Sequence, residues 1–117
     1  MPESVTTGDV HISYDVLAEL AGYAAMESYG VVGMAAKSKT AEVVQLLSRD
    51  KLARGVEVTA GDDGDLRVDL WVVIEYGTNI AEVAKNLIGR VQHVISTYAG
   101  VQVSAVEVHV QDIKVRE

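Results

Sequence analysis

The chain contains no cysteine. That absence excludes disulfide bonds, thiol catalysis and cysteine-ligated metal sites, and it is compatible with a reducing compartment. The first nine residues are polar and have neither a basic start nor an apolar core, so they do not resemble a signal peptide. No apolar run approaches the roughly 20 residues that a membrane-spanning helix needs. We therefore expect a cytoplasmic protein that does not insert into a membrane and reaches one only through a partner.

Basic residues are also scarce: 10 lysines and arginines stand against 17 aspartates and glutamates, for a net charge of −7. An acidic chain is repelled by phosphate backbones and by anionic lipid surfaces. The densest basic stretch holds Arg49, Lys51 and Arg54, where we predict a helix C-terminus that cations stabilise. Gly30 and Gly33 match the spacing of a nucleic-acid-clamping loop, but a helix cap followed by a strand explains them. We expect no nucleic-acid partner.

No constellation of reactive side chains is visible along the chain. His11, His93 and His109 have no second histidine or cysteine three to five residues away, so their spacing predicts no metal site. Glu75 and Glu107 are candidates to face each other on adjacent strands, although acids on solvated strand faces are common. No phosphate-binding loop or dinucleotide fingerprint occurs. We therefore predict no catalytic residue, no cofactor and no metal.

The hydrophobic pattern predicts one domain over residues 1–117, with residues 1–9 as a flexible leader. Two apolar helix stripes and an alternating sheet predict an α+β two-layer sandwich. Its mixed or antiparallel sheet has four to five strands and carries two main helices on one face. The predicted elements, in chain order, are a strand at 10–12, a helix from a Ser13 cap to about Tyr29, a strand at 31–36, a second helix at 40–51, a hairpin of 56–60 with 66–76, a helix at 79–98 and a strand at 101–115.

The hairpin and the long helix have the clearest local signals. Leu66–Tyr76 alternates apolar and polar residues, and the glycines and acids of Gly61–Asp65 favour a solvated hairpin turn over a calcium loop. Asn79 with Glu82 resembles a capping box. In the last strand the apolar parity changes, which predicts a bulge near Ser104–Val106.

Trp71 and Val73 are the first candidates for an interaction surface. Both lie on the strand face opposite the main apolar row, and large apolar residues on an open face are typical of interfaces. Two interpretations remain open. Either the shorter helix at 40–51 covers Trp71, or another chain does.

The second candidate surface lies on the long helix, opposite its apolar stripe. Lys85, Gly89, Gln92 and Ser96 form a strip of small or polar residues that allows another backbone to approach closely. Glycine at this position costs about 1 kcal/mol relative to alanine. A tolerated surface glycine is the other explanation.

Several segments together resemble the alkaline-shock-protein, or Gls-type, family of envelope stress response proteins in Gram-positive bacteria. They are DLWVVIEYG at 69–77, NI at 79–80, GVQV at 100–103 and VEVHV at 106–110. Ile12–Ala25 and the following GVVG are similar to the family's opening. The chain departs from the family's pattern in two places. Glu107 stands where the family has asparagine, and Tyr98-Ala99 stands where methionine and threonine are common.

The resemblance implies a non-enzymatic cytoplasmic protein linked to cell-envelope homeostasis and to alkaline or envelope stress. Some members of that family are held at the membrane by an integral partner, so we expect protein partners and a homo-oligomer. The family offers no catalytic residues to carry over. The alternative is a regulatory subunit or small-ligand-binding protein that acts on a metabolic enzyme, in lipid precursor supply for example. An enzyme in its own right is the least favoured hypothesis.

Overall fold

A computed structural model describes residues 4–7, 10–37, 46–61 and 65–115. The elements, in chain order, are β1 (Ser4–Thr7), β2 (Val10–Ser13), α1 (Tyr14–Met26), β3 (Val31–Met34), a 3₁₀ helix (Arg49–Gly55), β4 (Val56–Ala60), β5 (Leu66–Glu75), α2 (Ile80–Ala99) and β6 (Val103–Lys114). β1 and β2 pair antiparallel as a small separate sheet, and the other four strands form the main sheet. This is the predicted α+β class.

β5 is the central strand of the main sheet. Its residues Leu66–Leu70 pair antiparallel with β4, and Val72–Ile74 pair antiparallel with β3. Along its whole length it also pairs in parallel with β6. The sheet is therefore mixed, and β3, β4 and β6 are each joined to it through β5.

Both helices cover one face of this sheet, as predicted. α1 starts at Ser13, whose hydroxyl accepts a hydrogen bond from the Val16 amide at 3.2 Å, and α2 starts at Asn79, whose side chain accepts from the Glu82 amide at 3.1 Å. Gly100 ends α2 in a left-handed conformation (φ +69°) that glycine adopts without a Cβ clash. The residues buried between helices and sheet include Leu17, Ala21, Met34, Val68, Leu70, Val72, Ile74, Leu87, Val91 and Ile95.

β6 contains the predicted bulge. Leu66 pairs with Val103 and Arg67 with Ala105, so Ser104 is the extra residue, and its hydroxyl donates to the Leu66 carbonyl at 2.8 Å. A second shift, which the sequence pattern does not reveal, skips Gln111. Each bulge reverses the side-chain parity of β6, which keeps its valines on the helix-covered face.

The predicted second helix at 40–51 is wrong over its described part. Leu46 forms an isolated antiparallel bridge with Ala35, the Leu47 amide donates to the Met34 carbonyl, and the 3₁₀ helix starts only at Arg49. The backbone groups of Leu46 and Leu47 thus make their hydrogen bonds to the chain at and just after β3 and not within a helical turn. Residues 40–45 of that prediction lie outside the described residues.

Three smaller expectations also need correction. Residues 4–7 form β1, where the sequence suggests a loose leader. Tyr76 follows the end of β5 and is 71% exposed, so it does not continue the buried row. Ile80 and Tyr98, at the two ends of the α2 stripe, are exposed because the core lies against the middle of the helix.

Candidate functional site

Five side chains meet on the sheet face that α1 and α2 do not cover, which we call the open face. Paired residues of neighbouring strands point to the same face, and β5–β6 pairing places Arg67 opposite Ala105, Asp69 opposite Glu107 and Trp71 opposite His109. The polar cluster formed in this way contains Arg67, Asp69, Trp71, Glu107 and His109.

The charged members of the polar cluster are in direct contact. His109 Nε2 lies 3.0 Å from Asp69 Oδ1 and 3.9 Å from Glu107 Oε2. Arg67 Nη2 lies 2.6 Å from Glu107 Oε2, and its Nε lies 3.3 Å from Asp69 Oδ2. Asp69 is buried, whereas the other three side chains are 37–50% exposed. One buried carboxylate is thus surrounded by three partly exposed groups.

Burial of Asp69 acts to raise the pKa of its carboxyl, but the hydrogen bonds from His109 and Arg67 and their charge outweigh burial. The pKa of Asp69 is therefore lowered from its ordinary value. The pKa of Arg67 is raised, chiefly by its hydrogen bond to Asp69 and then by the charges of Asp69 and Glu107. Asp69 is thus ionised at neutral pH and can only accept, so His109 Nε2 donates the hydrogen bond between them.

Trp71 fixes the orientation of the histidine ring. The two rings are stacked, with centroids 4.6 Å apart and planes 12° apart. Trp71 itself is half-buried, and neighbouring Val73 is completely buried. Val73 pairs with Gly33, where an added Cβ would lie 2.9 Å from the Leu46 side chain. Val73 therefore offers no surface to a partner, unlike the partly accessible Trp71.

The second predicted surface lies on the other side of the molecule, on the outer side of α2. Lys85, Gly89 and Ser96 are exposed and Gln92 is half-buried. Nothing lies within 4 Å of the position that a Gly89 Cβ would occupy. The helix therefore leaves open space at Gly89, but the fold does not unite this strip with Trp71 into one surface.

A third feature is an exposed apolar patch at the end of the sheet where β5 and β6 stop. Tyr29, Tyr76 and Val115 are each more than 70% exposed, and Ile113 is 43% exposed. Backbone hydrogen bonds bring their segments to the same end of the sheet, since the Glu75 amide donates to the Gly30 carbonyl and the Tyr76 amide donates to the Lys114 carbonyl. We call these four residues the sheet-end patch.

The sequence does not predict the polar cluster, because ligand spacings of three to five residues are those of a helix or turn and this cluster lies on strands. Glu107 and His109 are two residues apart, which is the spacing that places strand side chains on one face. The partner strand was not predictable: Glu107 lies opposite Asp69, and Glu75 lies opposite Lys114 rather than Glu107. Of the other histidines, His11 bonds Thr6 on β1 and His93 is exposed on α2, so the fold does not gather the three.

The described ranges contain no helix that is long and apolar enough to cross a membrane. The acids at positions 62 and 63 of the predicted hairpin turn lie outside the described residues, although the β4–β5 pairing on either side of them confirms the hairpin.

Comparison with known proteins gives the chain's relatives. It is 34% identical over 109 residues to the uncharacterized protein YloU of Bacillus subtilis strain 168, covering 92% of this chain and 90% of the relative. It is 41% identical over 109 residues to the uncharacterized protein Spy1614 of Streptococcus pyogenes serotype M6, covering 92% and 89%. The profile of the ASP23 family, described as having a cell envelope-related function, matches residues 3–115. The chain therefore belongs to the ASP23 family of cell envelope-related proteins.

Proposed function

We propose that this protein is a non-catalytic, self-associating interaction module that serves the cell envelope, including its response to alkaline or envelope stress. In this proposal it works in the cytoplasm and reaches the membrane through a protein partner, an integral membrane protein in particular. Family membership supports the envelope setting. The observation that carries the interaction role is the sheet-end patch.

The sheet-end patch has the composition of a contact surface. Tyr29, Tyr76 and Val115 are 73%, 71% and 72% exposed, and tyrosine is enriched at protein interfaces because its ring packs while its hydroxyl stays hydrated. Apolar side chains clustered at one end of a sheet lower the free energy of association when a partner covers them.

A second copy of the chain is the occupant that the patch fits best. The patch continues onto β6, and within the described ranges β6 pairs with β5 alone. An open strand edge is a template for pairing with another strand. If two copies of β6 pair along this edge, the main sheet continues from one copy into the other.

The strip on α2 is the surface that we assign to the other protein partner. Lys85, Gly89 and Ser96 are exposed, and the absence of a side chain at Gly89 lets a partner's backbone come close. Because the strip lies on the helix layer and the patch at the sheet end, the two contacts can be made together and can be tested separately.

The experiment compares Tyr76→Ser and Ile113→Ser with the matched control Tyr98→Ser, which removes an equally exposed tyrosine from the far end of α2. Sedimentation velocity should show smaller assemblies for the first two variants and unchanged assemblies for the control. Gly89→Leu should leave the assembly intact but abolish capture of an integral membrane protein from the native envelope. A monomeric wild type, or equal assemblies in all variants, would refute the self-association surface.

A further inference from the structure

We propose that Asp69, Glu107 and His109 bind a divalent transition-metal ion of the zinc type, with water completing its coordination. The proposal does not depend on the interaction function above. It rests on donor chemistry, spacing, rigidity and charge within the polar cluster.

The donor set suits such an ion. One imidazole nitrogen and two carboxylate oxygens are common ligands of Zn²⁺, and three protein ligands with one water form an open site. The three donor atoms lie within 4.8 Å of one another. They come from two adjacent strands, so an ion would bridge β5 and β6.

The spacing is close to that of a coordination polyhedron. A tetrahedral ion with bonds of about 2.0–2.1 Å places neighbouring ligand atoms about 3.3 Å apart. His109 Nε2 is 3.0 Å from Asp69 Oδ1 and 3.9 Å from Glu107 Oε2. Side-chain shifts of less than about 1 Å bring these two edges to the required length. The third edge, between the Asp69 and Glu107 oxygens, is no longer than 4.8 Å and shortens as the Glu107 side chain moves toward the other two ligands.

Two of the three donors are already held in place. Asp69 is buried, and stacking on Trp71 fixes the His109 ring with Nε2 directed at the Asp69 carboxylate. Glu107 is half exposed and supplies the adjustable ligand. A site in which only one ligand has to adjust loses little ligand conformational entropy on binding.

Arg67 is the internal competitor of the ion. Its guanidinium touches both carboxylates, at 2.6 Å from Glu107 and 3.3 Å from Asp69, and it is 46% exposed. Two carboxylates against one guanidinium leave excess negative charge, which attracts a cation. When the ion binds, Arg67 swings into solvent and the neutral imidazole of His109 changes tautomer: Nε2 gives up its proton to water and Nδ1 takes one up from water, so that Nε2 is free to coordinate.

The competition makes the test two-sided. His109→Ala and Glu107→Gln should each weaken binding at least about tenfold, whereas Arg67→Gln should strengthen it about tenfold, a change of about 1.4 kcal/mol. His93→Ala, which removes an exposed histidine from α2, is the matched control and should bind as the wild type does.

The measurement is titration of untagged, chelator-treated protein with Co²⁺, followed by its visible absorption and then by displacement with Zn²⁺. Far-UV circular dichroism establishes that each variant is folded, and if Glu107→Gln fails to fold, His109→Ala decides. The proposal is overturned by a wild type without a visible band at millimolar Co²⁺, by unchanged binding in His109→Ala, or by lost binding in His93→Ala. Weaker binding in Arg67→Gln would refute the competition.

Discussion

At the residue scale, Asp69 shows how a strand face converts a sequence pattern into an electrostatic network. A polar residue that alternates with valines and leucines is usually solvated. Here the parallel neighbour β6 brings His109 and Glu107 against Asp69, and Arg67 closes the group from the same strand. The Asp69 carboxylate tolerates burial because Arg67 and His109 both hydrogen-bond to it.

The lowered pKa of Asp69 gives a pH prediction. Because the folded protein holds the carboxyl at a lower pKa than the unfolded chain does, the unfolded state binds more protons in acid. The stabilisation from ionised Asp69 is therefore fully present above the unfolded pKa of about 3.9 and is lost as the pH falls through the folded pKa. Asp69→Asn should cost about 1–3 kcal/mol of unfolding free energy at neutral pH.

Urea unfolding of both proteins in the presence of a chelator, from pH 7 to pH 3, measures this effect. The difference between wild type and Asp69→Asn should shrink below about pH 4. Asp50→Asn is the exposed comparison: the hydrogen bond from Ser48 also lowers the pKa of Asp50, so the sign is the same and the amplitude smaller. A difference that is constant with pH would contradict our account of the network.

At the element scale, a comparison of three glycines distinguishes the cost of backbone strain from the cost of steric overlap. Gly89 is helical and has open space around its missing Cβ. Gly77 has φ +92° and open space, so only strain opposes a side chain there. Gly30 has φ +83° and a Cβ position 2.5 Å from Val83 Cγ2, so strain and overlap add.

Alanine substitutions should therefore rank in a fixed order. Gly89→Ala should stabilise the protein by about 0.5–1 kcal/mol, because alanine favours helix. Gly77→Ala should destabilise it by about 1–2 kcal/mol, and Gly30→Ala by about 2–4 kcal/mol because buried Val83 must also shift. Equilibrium urea unfolding gives all three values. Equal costs at Gly30 and Gly77 would show that Val83 relaxes freely.

Local signals decide which elements the sequence predicts. α2 carries its own cap at Asn79 and stop at Gly100, and the β4–β5 hairpin carries its alternation, so both are predicted. The segment at 40–51 also has a helical pattern, but over its described part the long-range pairing of Leu46 with Ala35 and of Leu47 with Met34 overrides that pattern. The polar cluster depends on which strand lies beside β5, a long-range pairing that no local pattern contains.

At the scale of the whole molecule, one apolar core joins both helices to the main sheet. α1, α2 and β5 all contribute fully buried side chains to it. Trp71, the only tryptophan, lies outside this core on the open face. Its fluorescence therefore reports on the sheet from the side opposite the helices, while circular dichroism reports mainly on the helices.

Cooperative unfolding follows from this arrangement. Leu87→Ala, in the centre of α2, should cost about 2–5 kcal/mol, and the fluorescence and circular dichroism transitions should shift together because the core is shared. Ile80→Ala is the control on the same helix: Ile80 is 40% exposed, so its loss should cost less than about 1.5 kcal/mol. Transitions that separate in Leu87→Ala would mean that the helices unfold independently of the sheet.

The central position of β5 has a mechanical consequence. Adjacent residues of this strand point to opposite faces, so Asp69 lies between Val68 and Leu70, which are packed beneath the helices. A displacement of the backbone at Asp69 therefore also displaces Val68 and Leu70, the side chains against which the helix layer packs. The polar cluster on the open face and the helices on the other face are thus mechanically coupled through the short segment of β5 around Asp69.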